Sequence, residues 1–353
     1  MKRIDKYIEK NIKDVTNKNI VITGANSGIG FESMMVLAKK GANVIMACRS
    51  LKRAQNAKEK VLKEYPNALI DIIEYDQSSF ESIDNFITNL FKKYSKIDVL
   101  ICNAGIFHPE KGLKTKDGYP LTIGTNYIGL FYLLENIKNR LENTKIIIVS
   151  SVVYRYTKYK DYKFLLEENT SVFNQYKLSK TAITNYFYYL SQNTNLNIYM
   201  MHPGVSSTNI FSNPNVSYWK WFKSLAKWVM SVVVHSPKKA ALGISLLASK
   251  DYPNHTFLGP RGIGQISGYP KVIKLKNSGE DIAYRGNIED KLTIDLVKPN
   301  NENQIIVEYK IYTTKVPNNN PIVNNASLTY NFTQNPNFPE KATETVSDSA
   351  EVK

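Results

Sequence analysis

Cysteine, histidine and long apolar runs are all scarce in this sequence of 353 residues. The two cysteines, Cys48 and Cys102, are too few for a disulfide framework, which favours a reducing cytoplasm. The four histidines are scattered and lack metal-ligand spacing, so no metal site is predicted. No apolar run reaches the roughly 18 residues of a transmembrane helix, and residues 1–15 lack the apolar core of a signal peptide. These absences predict a cytoplasmic protein that binds no metal.

Acidic residues are outnumbered by basic ones, and the formal net charge is +15. A strongly basic protein is a candidate for binding nucleic acid or an anionic membrane. The lysines, however, are spread along the chain, and no nucleic-acid-binding motif is present. We therefore expect no nucleic acid partner and a diffuse charge that favours anionic ligands, such as a phosphorylated cofactor.

Short apolar segments alternate with helical ones over most of the chain. Apolar strands that lack polar alternation and are separated by helices are typical of a parallel sheet covered on both faces. The sequence therefore predicts an α/β fold with a doubly wound, Rossmann-type parallel sheet. The predicted strands are 19–23, 44–47, 69–75, 99–102, 146–149 and 198–201, and the predicted helices are 31–40, 54–65, 80–94, 130–141 and 176–192.

The first predicted strand ends in a glycine-rich turn at 23–30. Glycines at this place let the backbone approach a pyrophosphate, which then lies at the positive end of the following helix. A turn between a strand and a helix is the context that this motif requires. The residues predicted to bind a dinucleotide here are Gly24, Asn26, Ser27, Gly28, Ile29 and Gly30.

The end of the second predicted strand favours NADP(H). NAD-binding folds usually place an acidic residue there, which holds the ribose hydroxyls, but this sequence has Arg49 after Cys48 and no carboxylate. An arginine, with Lys52 or Arg53 nearby, suits the 2′-phosphate of NADP(H). The alternative is that Arg49 is a solvated loop cation.

Two further segments are predicted to contact the adenosine half of the cofactor. Asp76 follows the third strand, where its side chain either bonds the adenine edge or caps the helix near Phe80. Asn103, Ala104 and Gly105 follow the fourth strand, where small residues permit close approach. Asn103 is also suited to tying neighbouring strands together, and we expect it to do both.

The predicted acid–base pair is Tyr176 and Lys180, which share one face of a helix because they are four residues apart. Alone, such a pair is most often ordinary helix surface in a chain with 23 tyrosines. A phenol with an ordinary pKa of about 10 is a poor base at neutral pH. A neighbouring ammonium and the positive nicotinamide of an oxidised cofactor would lower the pKa of Tyr176. The phenol would then donate a proton to a carbonyl oxygen or take one from an alcohol.

Ser151 and Asn126 strengthen this prediction. Ser151 follows the fifth strand, at the sheet edge where open α/β folds bind ligands, and would hydrogen-bond the substrate oxygen. Its alternative role is to end the strand or cap a helix, and Ser150 ranks second as the substrate-binding serine. Asn126 falls within a helix, where asparagine is disfavoured. We expect a kink there that holds a water and links Lys180 to solvent, the alternative being an exposed helical asparagine.

Taken in order, these motifs resemble those of the short-chain dehydrogenase/reductase family. Within it the chain looks most like the branch of retinol dehydrogenases, WW-domain oxidoreductases and protochlorophyllide reductases, because of the segments 47–49, 117–119 and 259–270. The resemblance covers residues 6–276, and its one departure is Cys102 in place of an asparagine, which is expected to alter packing only. The matching motifs are the turn at 23–30, Asn103-Ala104-Gly105, Asn126, Ser151, Tyr176 with Lys180, and His202-Pro203-Gly204 followed by Thr208.

The resemblance implies a role for each of these residues. Tyr176 would be the acid–base, and Lys180 would bind the nicotinamide ribose and lower the pKa of Tyr176. Ser151 would orient the substrate, and Asn126 would complete the proton relay. The loop that follows the sixth strand would hold the nicotinamide carboxamide through Pro203, Val205 and Thr208.

Residues 209–236 are predicted to form a substrate lid. All three tryptophans fall within 216–235, where a helix would have one narrow polar stripe opposite a wide apolar arc. Such a helix would cap an apolar pocket, bury a contact between subunits or make a peripheral contact with a membrane. Each of these three roles favours an apolar substrate. The sequence does not decide whether the protein is a monomer or a homo-oligomer.

The character of the sequence changes beyond the main domain, 1–276. A strand-rich extension of uncertain fold is predicted at 277–339, with period-two alternation at 292–296, 307–311 and 326–332. The tail 340–353 is polar and charged and is predicted to be disordered.

The sequence thus predicts an NADP(H)-dependent oxidoreductase that interconverts a carbonyl and an alcohol on an apolar small molecule. Two alternatives stay open: a catalytically silent NADP(H)-binding regulator and an interaction protein at a membrane surface. The presence of Asn126, Ser151, Tyr176 and Lys180 together argues against the silent regulator.

Overall fold

The computed structural model includes most of the residues predicted to form the site. Predictions for Val205, Thr208 and 209–235 lie outside the described residues, as do those for 340–353. The described residues are 3–107, 110–156, 171–204 and 236–273, together with the backbone of 295–297, 304–313 and 322–331.

A mostly parallel sheet of eight strands forms the centre of the unit Met1–Leu275. The strands are β1 (Asn19–Thr23), β2 (Asn43–Cys48), β3 (Leu69–Glu74), β4 (Val99–Cys102), β5 (Lys145–Val149), β6 (Asn197–Met201), β7 (Phe257–Pro260) and β8 (Pro270–Val272). Their order is β3-β2-β1-β4-β5-β6-β7-β8, with only β8 antiparallel to its neighbour. Ile20, Val21 and Ile22 of β1 are all fully buried, which shows that both faces of the sheet are covered. The predicted doubly wound α/β fold is confirmed.

The strand order also locates the ligand edge of the sheet. Strands β3, β2 and β1 lie on one side of the crossover, and β4 pairs with β1 on the other. The carboxyl ends of β1 and β4 are therefore adjacent at the point where the winding reverses. Ligands of open α/β sheets bind at such a point. The glycine-rich turn after β1 and Asn103 after β4 both lie there.

All five predicted helices are present. The helices are α1 (Arg3–Asn11), α2 (Gly28–Lys39), α3 (Leu51–Glu64), α4 (Phe80–Lys93), α5 (Leu121–Ile123), α6 (Gly129–Ile137), α7 (Val172–Asn193), α8 (Pro237–Ala240) and α9 (Leu242–Ser249). Helix α7 begins earlier than predicted because Ser171 caps it, accepting a hydrogen bond from the Asn174 amide at 3.3 Å. Among the described residues, none of the helices combines the length and the apolar character that crossing a membrane would require.

Helix α1 was not among the predicted elements. Its apolar side is short but well buried, since Ile8 and the following Ile12 are each 3% exposed. The Tyr7 ring stacks on that of Tyr269 with centroids 4.4 Å apart, and Asp5 forms an ion pair with Lys238 at 2.7 Å. The helix therefore packs onto the sheet domain through partners that lie far away in sequence. Its own sequence is mostly polar and does not indicate these contacts.

The second unit, Lys276–Lys353, contains a three-stranded antiparallel sheet. Its strands are β9 (Asp295–Val297), β10 (Gln304–Thr313) and β11 (Ile322–Asn331), in the order β11-β10-β9. Strands β10 and β11 pair along their whole length, from Gln304 opposite Asn331 to Thr313 opposite Ile322. The predicted strand-rich extension is confirmed, while the domain assignments stay predictions.

Candidate functional site

The glycine-rich turn brings the start of α2 close to the loop that follows β4. A Cβ atom on Gly30 would collide with the Gly24 carbonyl oxygen and lie 2.6 Å from Asn103 Nδ2. Only glycine therefore permits this approach, which leaves the amino end of α2 facing the ligand edge of the sheet. Asn26, Ser27, Gly28 and Ile29 lie in this turn and the first residues of α2, as predicted for a pyrophosphate cradle.

Asn103 ties β4 to β1. Its Nδ2 donates to the Thr23 carbonyl oxygen at 2.9 Å, and its backbone N–H donates to Thr23 Oγ1 at 2.9 Å. The backbone N–H of Ala104 donates to the same hydroxyl, also at 2.9 Å. The strand-tying role of Asn103 is therefore present, and contact of Asn103, Ala104 and Gly105 with adenosine stays a prediction.

Arg49 is exposed at the end of β2, directly after the buried Cys48. The next residue, Ser50, caps α3 by accepting a hydrogen bond from the Arg53 backbone N–H at 3.4 Å. Arg49 takes part in none of the ion pairs formed between described residues. The guanidinium is thus free to bind a phosphate at the ligand edge, and its choice of NADP(H) stays a prediction.

Asp76 does not cap α4, so that alternative is wrong. Its Oδ1 accepts from the Ser78 backbone N–H at 3.0 Å and from the Ser78 hydroxyl at 2.6 Å. The N-cap is Ser79, which accepts from the Ser82 amide at 3.3 Å. Asp117 Oδ2 accepts from the Phe80 amide at 3.1 Å. The Phe80 and Ser82 amides at the start of this helix therefore bond Asp117 and Ser79 rather than Asp76, and adenine binding by Asp76 stays a prediction.

Asn126 lies in a π-helical turn, Gly124–Ile128, between α5 and α6. It is fully buried, so the alternative of an exposed helical asparagine is wrong. Its Oδ1 accepts from the Ile106 N–H at 2.7 Å, and its Nδ2 donates to the Ile106 carbonyl at 2.9 Å and to Ser179 Oγ at 3.1 Å. The helix is therefore irregular at Asn126, as helices at functional sites often are, and the kink itself stays a prediction. The bound water stays a prediction.

Tyr176 and Lys180 share one face of α7, and both side chains are 6% exposed. Lys180 Nζ donates to the Val149 carbonyl at 3.2 Å and lies 5.9 Å from the centroid of the Tyr176 ring. A Cβ on Gly105 would lie 3.6 Å from Lys180 Nζ and 3.2 Å from Asn126 Oδ1. The predicted acid–base pair, Asn126 and the loop after β4 therefore meet in one place. Burial lowers the pKa of Lys180 to about 8.

The structure favours Ser151 over Ser150 as the partner of Tyr176. The Ser151 side chain lies close enough to the Tyr176 hydroxyl to favour its ionised form, which lowers the pKa of the phenol. Ser150 Oγ is instead engaged with Thr184 Oγ1 at 2.9 Å and with the Lys180 carbonyl at 3.3 Å. Burial is the larger effect on Tyr176 and raises its pKa above the ordinary value. Among the protein's own groups burial therefore outweighs the effect of Ser151, and the lowered pKa predicted for Tyr176 beside Lys180 and an oxidised nicotinamide stays a prediction.

The loop after β6 is held by His202 and Gln265. The Gly204 N–H donates to His202 Nδ1 at 3.2 Å, so Nε2 carries the proton and donates to Gln265 Oε1 at 2.8 Å. Burial lowers the pKa of His202 to about 4, which keeps the ring neutral at physiological pH. This pair fixes Pro203 at the ligand edge. Gln265 was missed because 63 residues separate it from its partner.

Sequence reasoning also missed two aromatic side chains beside Tyr176. The Phe107 ring lies edge-on to the Tyr176 ring, with centroids 5.4 Å apart and an interplanar angle of 86°. Phe173 lies 6.4 Å from Phe107 and is 49% exposed, an unusual exposure for a phenylalanine. Its position three residues before Tyr176 on α7, which places both on one helix face, could have signalled this contact.

Comparison with known proteins connects this geometry to a family. The family model described as short chain dehydrogenase matches residues 18–217. The WW domain-containing oxidoreductase of Gallus gallus is 40% identical over 152 residues, which cover 42% of this chain and 36% of that protein. Retinol dehydrogenase 14 of Mus musculus is 30% identical over 233 residues, covering 59% of this chain and 70% of that protein. The chain spans 36–52% of the length of the WW domain-containing oxidoreductases that it matches.

Solved structures show the same fold. A structure of an uncharacterized protein from Mycobacterium paratuberculosis has a TM-score of 0.56 and 25% identity, and the match covers 78% of this chain and 92% of that one. The alcohol dehydrogenase of the archaeon Thermococcus sibiricus, solved with 5-hydroxy-NADP, has a TM-score of 0.55 and 19% identity, with 71% and 99% covered. At 19% identity, the similarity to the Thermococcus sibiricus enzyme shows a shared fold and nothing further.

Proposed function

Because this chain belongs to the short-chain dehydrogenase family of oxidoreductases, we propose that it interconverts a carbonyl and an alcohol with NADP(H), on an apolar small molecule. The observation that carries the proposal is the convergence of Tyr176, Ser151, Lys180 and Asn126 in one buried place at the ligand edge of the sheet. Each of these groups has a separate part in moving a proton to or from a substrate oxygen. We place the reaction in the cytoplasm.

The residues present fit a nicotinamide dinucleotide. The cradle at Gly24 and Gly30 leaves no room for a side chain and faces the amino end of α2, which suits a pyrophosphate. The exposed Arg49 suits the 2′-phosphate, and the buried Lys180 suits the ribose hydroxyls. When bound, the cofactor supplies or accepts the hydride.

The chain's own residues manage the proton. In reduction, the Tyr176 hydroxyl donates its proton to the carbonyl oxygen while Ser151 donates a hydrogen bond to the same oxygen and stabilises its developing charge. The Lys180 ammonium then stabilises the phenolate that remains. Asn126 holds the loop that contains Ile106 and the turn that carries the relay. Oxidation of an alcohol follows the same steps in reverse.

The test of this function is NADPH and NADH oxidation, followed side by side against a panel of aldehydes and ketones that includes long apolar ones. NADPH-dependent turnover supports the proposal and identifies the first substrate class. Tight NADPH binding without turnover of any carbonyl would favour the silent regulator instead. Preferential use of NADH would contradict the role given to Arg49 and leave the acid–base assignment standing.

Arg49→Glu is expected to lower kcat/KM for NADPH by roughly 10–100-fold, the equivalent of one charge-assisted hydrogen bond pair. The introduced carboxylate repels the 2′-phosphate and can accept hydrogen bonds from ribose hydroxyls, so kcat/KM for NADH should be unchanged or rise. Lys60→Glu on α3 is the control, because it makes the same charge change at another exposed position. Equal losses with both cofactors would count against a phosphate contact at Arg49.

Phe173→Ala is expected to lower kcat/KM for long straight-chain aldehydes by about tenfold, with little effect on short ones. Phe173 and Phe107 form an apolar wall beside the reactive hydroxyl, and contact with a substrate chain gains roughly 25 cal/mol per Å² buried. The measurement is kcat/KM along a series of straight-chain aldehydes of about four to twelve carbons. The longer chains of this series can contact both aromatic rings, whereas the shorter ones cannot. Leu51→Ala, which removes a side chain of equal exposure elsewhere, is the control. A loss that is independent of chain length would contradict the substrate-wall role.

A further inference from the structure

Gln77 links the cofactor loop to the π-helical turn. Its side chain is nearly fully buried, 5% exposed, in the segment between β3 and α4. Its Nε2 donates to the Ala104 carbonyl at 3.2 Å and to the Thr125 carbonyl at 2.6 Å. Ala104 belongs to the loop predicted to contact adenosine, and Thr125 directly precedes Asn126. One carboxamide therefore joins two segments that the proposed reaction uses.

The orientation of this carboxamide is determined by its partners. Carbonyl oxygens only accept hydrogen bonds, so the amide nitrogen, with its two hydrogens, must face Ala104 and Thr125. On the other side, the Tyr75 hydroxyl donates to Gln77 Oε1 at 3.0 Å. Tyr75 is itself 2% exposed and packs against Phe86 with ring centroids 4.8 Å apart. The Tyr75 hydroxyl therefore fixes the amide oxygen of Gln77, and the two amide hydrogens point toward the Ala104 and Thr125 carbonyls.

The backbone of Gln77 is held as closely as its side chain. A Cβ atom on Gly129 would collide with the Gln77 carbonyl oxygen, so only glycine at 129 allows α6 to approach this segment. The Gly129 N–H donates to the Gly124 carbonyl, five residues back, as a π-helical turn requires. Within this turn, the Thr125 carbonyl accepts its hydrogen bond from the side-chain amide of Gln77.

We propose that Gln77 is a positioning residue, which holds the π-helical turn and the loop after β4 at a fixed spacing and so sets the place of Asn126 beside Lys180. Asn126 in turn accepts a hydrogen bond from the Ile106 N–H. Asn126 and Lys180 both flank Gly105, where a Cβ would lie 3.2 Å from Asn126 Oδ1 and 3.6 Å from Lys180 Nζ. If Gln77 only filled space, an apolar side chain of the same length would replace it. Because two buried carbonyls depend on its hydrogens, we expect that it cannot be replaced in this way.

The decisive variants are Gln77→Met, which keeps the length and removes both donors, and Gln77→Glu, which turns carboxylate oxygens toward the two carbonyls. Thr144→Val is the matched control. Thr144 is 1% exposed and its hydroxyl donates to the Ile97 carbonyl at 2.7 Å, but it precedes β5 at the opposite end of the strands. Tyr75→Phe, a milder change that removes only the orienting hydroxyl, serves if Gln77→Met does not fold.

Two readouts separate positioning from stability. The first is kcat with saturating NADPH and the best carbonyl of the panel, which should fall roughly 10–100-fold in Gln77→Met and further in Gln77→Glu, as for a misplaced catalytic group. The second is amide hydrogen exchange in 103–107, which should accelerate because the Ile106 N–H is bonded to Asn126. NADPH affinity, measured by titration, should weaken less than about tenfold. Tyr75→Phe should shift both readouts in the same direction by less.

The proposal uses the proposed oxidoreductase function for its kinetic arm only. Thr144→Val should lower Tm by a few degrees, similar to Gln77→Met, yet keep kcat within about twofold because no catalytic group moves. Unchanged kcat and unchanged exchange in 103–107 for Gln77→Met would overturn the positioning role, as would equal kinetic losses in Thr144→Val. If the wild type reduces no carbonyl, the proposed function fails, and exchange together with NADPH affinity still decides for or against Gln77.

Discussion

Replacing Tyr176 by phenylalanine will lower kcat for carbonyl reduction by roughly 10²–10⁴-fold, the usual contribution of a positioned acid–base group. The substitution removes one hydroxyl, the group whose pKa Ser151 lowers. The ring keeps its edge-on contact with Phe107 and its burial in α7, so the fold should be retained. The measurement is NADPH oxidation at saturating cofactor with the best substrate of the panel, alongside NADPH affinity, which should stay close to that of the wild type.

Tyr186→Phe is the matched control for this experiment. Tyr186 lies on the same helix, is 3% exposed, and donates its hydroxyl hydrogen to Glu135 Oε1 at 2.7 Å. Loss of that hydrogen bond should cost about 1–3 kcal/mol of unfolding free energy, while kcat stays near the wild-type value. A Tyr176→Phe variant that retains activity, or a Tyr186→Phe variant that loses as much, would contradict the acid–base assignment.

The main elements of the fold could be predicted because their signals are local. Strand β1 is a run of Ile20, Val21 and Ile22 that ends at a glycine turn, and the helices begin and end at caps and glycines that lie within a few residues. Helix α1 could not be predicted in this way. Its burial depends on Tyr269 and Lys238, which lie far away in sequence.

The same distinction separates the parts of the site. Tyr176 with Lys180, and Ser151 at a strand end, could be recognised from spacing and from the place of strand ends in a parallel sheet. Gln77 and Gln265 could not, because each acts through a carbonyl or a ring brought near by the fold. A glutamine carries no spacing signal that distinguishes a buried bridge from an exposed side chain.

The environments of two individual groups depend on the whole fold and could not be predicted from the sequence. Asp76 was a suitable cap by residue type, but Ser79 stands one turn closer to the helix start and makes the bond. The lowered pKa of Tyr176 was predicted from Lys180 together with an oxidised nicotinamide and stays a prediction, while among the protein's own groups burial has the largest effect on this pKa and raises it. Sequence shows which residues are neighbours on a helix, but the depth at which they are buried depends on the whole fold.

Lys180→Met is expected to make the protein more stable at pH 7 and nearly inactive. Burial lowers the pKa of Lys180 from 10.5 to about 8, so the folded state holds the charged form at a cost. Below the folded pKa this cost is fully present, on the order of 3 kcal/mol at about 1.4 kcal/mol for each unit of pKa. The lost hydrogen bond to the Val149 carbonyl opposes the gain by about 1 kcal/mol, which leaves a net stabilisation of roughly 2 kcal/mol.

The pH dependence identifies the source of this stabilisation. Between the folded pKa near 8 and the unfolded value of 10.5, the unfolded chain binds more protons than the folded one, so the stability of the wild type rises with pH. The advantage of Lys180→Met should therefore shrink through this range and become a deficit of about 1 kcal/mol above it, where only the lost hydrogen bond remains. Urea unfolding at neutral and alkaline pH measures the effect, with Lys92→Met at an exposed position of α4 as the control.

Activity should move in the opposite direction to stability. Without the ammonium nothing at this position stabilises the phenolate, and kcat should fall by roughly 10²–10³-fold, as on removal of one electrostatic stabiliser. A variant that is both inactive and less stable at neutral pH would show that Lys180 serves packing rather than charge, because removing a costly buried cation cannot then explain the loss. A stable variant that keeps its activity would instead assign the proton chemistry to other groups. A higher free energy of unfolding together with a lower kcat is the one result that fits the proposed role. It would mean that burying the Lys180 ammonium destabilises the fold and that the reaction nevertheless requires the charge.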